Sequence, residues 1–110
     1  MTKLREGQAP IQIHPRGQVL HVAGELDMST TPALSEALGT VPDGVICVDM
    51  SEVPFMDSTG ARALVKAAKE LNDGCIIVHG ASPAVAKVFQ ILGLDKPDAN
   101  IHVLDGHKRG

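Results

Sequence analysis

Residues 49–60 read DMSEVPFMDSTG and separate the apolar run Val45–Val48 from a segment with helical periodicity. The apolar run predicts a strand buried on both faces, because its apolar residues follow one another without alternation. After residue 60, apolar side chains recur every three or four positions, at Ala61, Leu64, Val65, Ala68 and Leu71. Residues 49–60 therefore connect a strand to an amphipathic helix that begins at Ser58.

Upstream of this connection the sequence predicts a hairpin and a first helix. Strand patterns at residues 10–14 and 18–22 flank the turn-forming residues 15–17, which is typical of two antiparallel strands. The segment Thr31–Gly39 begins with a hydroxyl cap candidate and has proline at its first helical position and glycine at its end. We expect a helix over this segment.

Downstream, a second buried strand is predicted at residues 75–78, a third helix capped by Ser82 and closed by Gly93, and a last strand at 101–104. This order implies right-handed crossovers. It predicts an α/β domain over residues 10–104, with a mixed, mostly parallel sheet of four to five strands, an antiparallel N-terminal hairpin and three helices. Residues 1–9 and 105–110 are expected to be tails.

Composition excludes several classes of protein. Apolar residues make up 44% of the 110 residues and charged residues 21%, as in an ordinary globular domain. The net charge of -3 offers no basic field for nucleic acid. We find neither an apolar run of about 20 residues nor a signal peptide, so we predict a cytoplasmic protein without membrane contact. Cys47 and Cys75 lie in apolar runs and are predicted to be buried free thiols.

The loops that follow parallel strands are where a site is expected. Residues 24–30, 49–60 and 79–82 follow successive strands and should converge on one edge of the sheet, because sites in open sheets form beyond the carboxyl ends. Either Ser58 or Asp57 is the cap of the following helix. The same free amides and helix dipole also stabilise a phosphate attached at that position.

Residues 49–60, together with Gly24-Glu25-Leu26-Asp27 and the GASPAV run at 80–85, resemble the STAS family and, within it, the bacterial anti-sigma factor antagonists. The resemblance spans about residues 10–104 and rests on several motifs in matching order. It implies a binding module without a cofactor, not an enzyme. STAS modules also serve as soluble subunits of lipid or anion transporters and as parts of larger signalling assemblies, which is the alternative function.

The resemblance also implies partners and a switch. It implies that the unmodified protein engages a serine-kinase anti-sigma factor. This partner carries ATP or ADP with magnesium and then releases its sigma factor. The kinase phosphorylates Ser58, the modified protein no longer holds its partner, and a serine phosphatase resets it. The residues expected to contact the partner are Asp27, Met28, Met56, Asp57, Ser58, Thr59, Gly60 and Arg62.

Several of these residues have an alternative, structural interpretation. Asp27 either helps to present Ser58 to the kinase and shapes the docking surface, or only tightens the loop before the first helix. Thr59 is either a second phosphoacceptor or a first-turn structural residue, and Gly60 either admits a partner or meets a packing need. Met28, Met56 and Phe55 would form an apolar contact surface, although Phe55 is equally suited to the core. Asp49 is expected to fix its loop through backbone amides.

Enzyme and metal sites receive little support from the sequence. A Ser58–His79 hydrolase lacks the nucleophile elbow, because Met56 stands where its first glycine would be. Asp49 as a phospho-accepting receiver residue lacks the acidic pair that holds magnesium. The five histidines show no ligand spacing, so no metal site is expected.

Two features depart from the family pattern. Arg62 places a cation near Ser58, where it would stabilise a phosphate or contact the kinase. Family members usually continue into a final helix after the last strand, which this sequence is expected to lack. We expect a monomer or a weak dimer.

Overall fold

The computed structural model of the protein describes residues 11–93 and 100–105. These residues form five strands and three helices: β1 (Ile11–Arg16), β2 (Val19–Gly24), α1 (Thr31–Thr40), β3 (Val45–Glu52), α2 (Ser58–Lys69), β4 (Cys75–Ala81), α3 (Pro83–Ile91) and β5 (Ile101–Asp105). The predicted N-terminal tail and residues 106–110 of the predicted C-terminal tail lie outside the described residues. Residue 105, which we placed in that tail, is the last residue of β5.

The sheet follows the order β1-β2-β3-β4-β5. β1 pairs with β2 antiparallel, and β2, β3, β4 and β5 pair parallel to one another. The predicted α/β class, the mixed sheet with its antiparallel hairpin and the three helices are therefore confirmed. The hairpin turn is tighter than predicted, because β1 continues to Arg16 and Gly17 makes the turn with a φ of 62°.

One prediction about β3 is wrong, namely that it is buried on both faces. Since the strand order follows the chain order, right-handed crossovers place every connecting helix on the same side of the sheet. Burial in β3 consequently alternates: Ile46 and Val48 are buried, whereas Val45 is 51% exposed. Cys47 and Cys75 are free thiols as predicted, but they are only partly buried.

The core lies between the helices and the covered face of the sheet. α2 contributes the apolar stripe predicted from its periodicity, and Leu64 and Ala68 are fully buried. α3 contributes Val85 and Phe89, which are also fully buried. α1 and α2 pack against each other. Within the part of the chain that is described, no helix is long and apolar enough to cross a bilayer.

The predicted caps are present at the ends of α3 but not at those of α1. Ser82 caps α3, since its hydroxyl oxygen accepts a hydrogen bond from the Val85 amide at 3.2 Å, and Gly93 follows with a φ of 68°. Both predictions for α3 are confirmed. For α1, the predicted glycine end is wrong, because the helix passes through Gly39 to Thr40, and no hydroxyl side chain caps its start. The Asp27 loop described below organises that start instead.

Candidate functional site

Two loops meet at the carboxyl edge of the sheet and are joined by a short parallel bridge between Leu26 and Met56. The Leu26 amide donates to the Phe55 carbonyl at 3.0 Å, and the Asp57 amide donates to the Leu26 carbonyl at 2.9 Å. The predicted convergence of these two loops is confirmed. Residues 49–52 and 79–81, which we assigned to loops, are the ends of β3 and β4.

Asp57 is the N-cap of α2. Its Oδ1 atom accepts hydrogen bonds from the amides of Thr59 at 2.9 Å and Gly60 at 3.4 Å. Of the two cap candidates in the sequence, the structure therefore selects the carboxylate. Ser58 is the partly exposed first residue of the helix, and its hydroxyl makes no hydrogen bond within the described residues. The hydroxyl is thus left available for chemistry.

Thr59 has a structural role in the first turn of α2. Its hydroxyl donates to the Asp57 carboxylate, and its oxygen lies 3.5 Å from the Thr31 hydroxyl at the start of α1. Thr31 is only 7% exposed. The Thr59 hydroxyl therefore ties together the beginnings of the two helices, in agreement with the structural interpretation of this residue.

Asp27 organises the loop that precedes α1. Its Oδ1 atom accepts hydrogen bonds from the Ser29 hydroxyl at 2.8 Å and from the amides of Ser29 and Thr30 at 2.9 and 3.1 Å. The Ser29 hydroxyl and then the Thr30 amide lower the pKa of the Asp27 carboxyl. The carboxylate is consequently charged at neutral pH. The loop-tightening interpretation is supported, and a negative charge stands beside the bridge to residue 56.

The apolar surface expected beside Ser58 is only partly present. Met28 is 74% exposed and Phe55 is 47% exposed, but Met56 is buried at 1% exposure. The prediction of Met56 as an exposed contact residue is therefore wrong, because its side chain lies against Gly60 in the first turn of α2. Gly60 is also buried, and a Cβ atom there would lie 2.7 Å from the Met56 Cγ. Its packing interpretation is the one supported.

Arg62 lies one helical turn after Ser58 and is exposed. Residues four apart on an α-helix share a face, with Cβ atoms about 5–6 Å apart. The guanidinium is therefore within reach of any group attached to the Ser58 oxygen. This placement agrees with the expectation that a cation stands near Ser58.

Asp49 lies within β3 and forms a hydrogen bond to the backbone near the end of the strand. Its Oδ1 atom accepts from the Ser51 amide at 3.0 Å, as expected of a residue that binds backbone amides. Sequence reasoning missed its second partner, the His21 Nδ1 atom, which lies 3.0 Å from Oδ2. Burial opposes ionisation of Asp49, but the hydrogen bonds from Ser51 and His21 outweigh it and lower the pKa of the carboxyl. Only the register between β2 and β3, not local sequence, reveals the pair.

The residues of the alternative sites are not assembled. Where the chain is described, His79 makes no hydrogen bond to Ser58, and it is exposed near the end of β4. Among the same residues, no group of three or more histidine, cysteine, aspartate or glutamate side chains is placed to hold a metal ion.

Removing the Asp57 cap tests how much it contributes to the stability of the protein. Asp57→Ala is expected to lower the free energy of unfolding by about 0.5–2 kcal/mol, because the amides of Thr59 and Gly60 lose their acceptor. Asp57→Asn keeps an acceptor oxygen and is the matched control. Urea denaturation measures both, and equal stability of Asp57→Ala and the parent would contradict the assigned cap.

The Asp27 carboxylate should make stability depend on acidity. Because its folded pKa is depressed, its contribution is present above the unfolded pKa of about 3.9 and is lost as the pH falls through the folded pKa. Asp27→Asn should therefore be less stable than the parent at neutral pH, and the difference should vanish in acid. Denaturation midpoints across this pH range measure it, and a difference that stays constant would refute the role of the charge.

Comparisons with known proteins identify the family. A family model described as Mlab, STAS domain matches residues 10–105. The anti-sigma-B factor antagonist of Listeria monocytogenes serovar 1/2a is 38% identical over 80 residues, covering 68% of this chain and 70% of that protein. The antagonist of the same name from Staphylococcus aureus NCTC 8325 is 40% identical over 78 residues, covering 66% and 72%.

Solved structures agree with this result. An anti-sigma factor antagonist from Mycobacterium paratuberculosis superposes with a TM-score of 0.62 at 26% identity, covering 84% of this chain and 83% of that one. The anti-sigma factor antagonist SpoIIAA in its unphosphorylated form gives a TM-score of 0.58 at 23% identity, covering 88% and 90%, which shows a shared fold. Since the family model spans most of the sequence and the relatives match about two thirds of it, the chain belongs to the STAS domain family.

Proposed function

We propose that this protein is an anti-sigma factor antagonist that binds a serine-kinase anti-sigma factor and thereby frees the sigma factor. Relatives named anti-sigma-B factor antagonists support the antagonist role. The observation on which the proposal depends most is the start of α2. There, Asp57 supplies the cap and leaves the partly exposed Ser58 hydroxyl without a hydrogen-bond partner among the described residues. This hydroxyl is the proposed phosphoacceptor.

Phosphorylation of Ser58 would act at the interface and not on the fold. A phosphoserine adds a charge of about -1.5 to -2 at neutral pH. The helix N-terminus favours such a charge, so α2 should remain intact. The bridged loops already carry the carboxylates of Asp27 and Asp57. A partner that accommodates the neutral serine would face a concentrated negative charge after modification.

In this proposal, the exposed side chains near Ser58 contact the partner. Met28, Phe55 and Arg62 are exposed near Ser58 and offer apolar and cationic contacts. Asp57, Thr59 and the buried Gly60 and Met56 instead hold the serine in place. In this account the kinase brings the nucleotide and magnesium, a serine phosphatase reverses the modification, and the antagonist itself is a binding protein without a cofactor.

The proposal is tested by mixing the protein with candidate serine-kinase anti-sigma factors, ATP and magnesium. We expect a complex on size-exclusion chromatography with one candidate, displacement of its sigma factor, and phosphate transfer that Ser58→Ala abolishes. If no candidate binds or modifies the protein, the proposal fails. Lipid that remains bound through purification would instead support the alternative of a transporter subunit.

A further inference from the structure

An exposed line of cations runs along α2 from Ser58. Arg62 and Lys69 follow the serine at intervals of four and eleven residues, so they lie on one side of the helix, with Lys66 beside them. Together with Val65 they line a shallow groove of about 220 Å³. We call Arg62, Val65, Lys66 and Lys69 the α2 basic stripe.

The helix dipole favours Lys66 and Lys69, which lie in the last turn of α2, but it does not account for Arg62 or for the alignment of the three cations. Arg62 and Lys66 are four residues apart and Lys66 and Lys69 three apart, and like charges at these spacings destabilise a helix. Among the described residues, none of the three cations forms a salt bridge with a carboxylate. A protein with a net charge of -3 thus concentrates positive charge on one helix face. A face of this kind is typical of a surface that meets negative charge in a partner.

We infer that the α2 basic stripe binds an acidic segment of the same partner that engages Ser58, an inference that rests on the function proposed above. The occupant follows from charge complementarity and from the continuity of the stripe with the phosphoacceptor. Val65, which is 8% exposed, forms an apolar floor between the cations. The segment therefore carries acidic side chains around a short apolar contact.

This arrangement gives phosphorylation a second effect. A phosphate on Ser58 stands at the head of the stripe, one turn from Arg62, and pairs with its guanidinium. The modification then repels the acidic segment and also withdraws one of the cations that held it. Partner affinity falls through both effects, without a change in the fold.

The test uses the kinase identified by phosphate transfer and the variant Lys66→Glu/Lys69→Glu. We expect its association rate to fall about tenfold or more at low ionic strength, and the difference to shrink at high salt, because salt screens exposed charges. Lys87→Glu, on the exposed surface of α3, reverses one lysine instead of two, so it makes half the charge change away from the stripe, and it should bind like the parent. Lys66→Ala/Lys69→Ala should show a smaller loss and covers the case in which the charge reversal unfolds the protein, which circular dichroism reports.

The possible results separate the inference from the proposed function. If both stripe variants fold and associate as fast as the parent while the kinase still phosphorylates Ser58, the inference is overturned and the function stands. If Lys87→Glu loses about half as much association rate, on a logarithmic scale, as the doubly reversed stripe variant, the effect follows total charge and the inference is also wrong. If no kinase binds the parent, the proposed function fails and the inference fails with it.

Discussion

Ser58→Asp is expected to weaken binding of the kinase by roughly thirtyfold to several thousandfold, corresponding to about 2–5 kcal/mol. The new carboxylate would stand at the first residue of α2, next to Asp57 and close to the Leu26–Met56 bridge, which Asp27 follows in the chain. In a tight interface this additional charge must lose its water and adds to the negative charge of Asp57 and Asp27. Isothermal titration calorimetry with the kinase measures the change.

Ser58→Ala is the matched control for this prediction. It removes the hydroxyl without adding charge, and within the described residues that hydroxyl makes no hydrogen bond to lose. We therefore expect Ser58→Ala to bind like the parent and both variants to unfold at the parent's temperature. Equal affinity of Ser58→Asp and the parent would refute the electrostatic account.

Gly74→Ala is expected to cause the largest loss of stability, about 3 kcal/mol or a fall of about 12 °C in the unfolding temperature. A Cβ atom at this position would lie 1.9 Å from the Gly44 carbonyl oxygen. The two glycines precede β4 and β3, whose first residues pair in register, so neither backbone can withdraw without disturbing the sheet. Asn100 also donates to the Gly74 carbonyl at 2.9 Å and restrains it further.

Gly39→Ala makes the same chemical change where nothing lies within 4 Å. Because Gly39 is inside α1, alanine there should stabilise the protein by roughly 0.5–1 kcal/mol. Thermal and urea denaturation of the pair separate close packing from glycine replacement in general. Parent-like stability of Gly74→Ala would show that the two loops can move apart freely.

Local chemistry explains what could be predicted from the sequence. The starts of α2 and α3 follow from Asp57, Ser58 and Ser82, because a cap needs only a polar oxygen within three residues of the amides it accepts from. The apolar stripe of α2 is equally local. The order of elements, with the rule of right-handed crossovers, then determines the mostly parallel sheet.

What could not be predicted depends on contacts between distant segments. The open face of β3 follows from the strand order of the whole sheet, which the apolar run of residues 45–48 does not contain. The burial of Met56 depends on the bridge between its loop and Leu26, which the sequence around Met56 does not reveal. His21 and Asp49 become partners only through the register of β2 with β3.

One hydroxyl at the start of α2 is free for phosphorylation. Ser58 and Thr59 are adjacent, but the Thr59 hydroxyl is held by Asp57 and lies against Thr31, whereas that of Ser58 is unbound among the described residues. Tandem mass spectrometry of the protein after reaction with its kinase and ATP distinguishes the two hydroxyls. We expect phosphate on Ser58, and phosphate on Thr59 or on any other residue would refute the assignment of Ser58 as the phosphoacceptor.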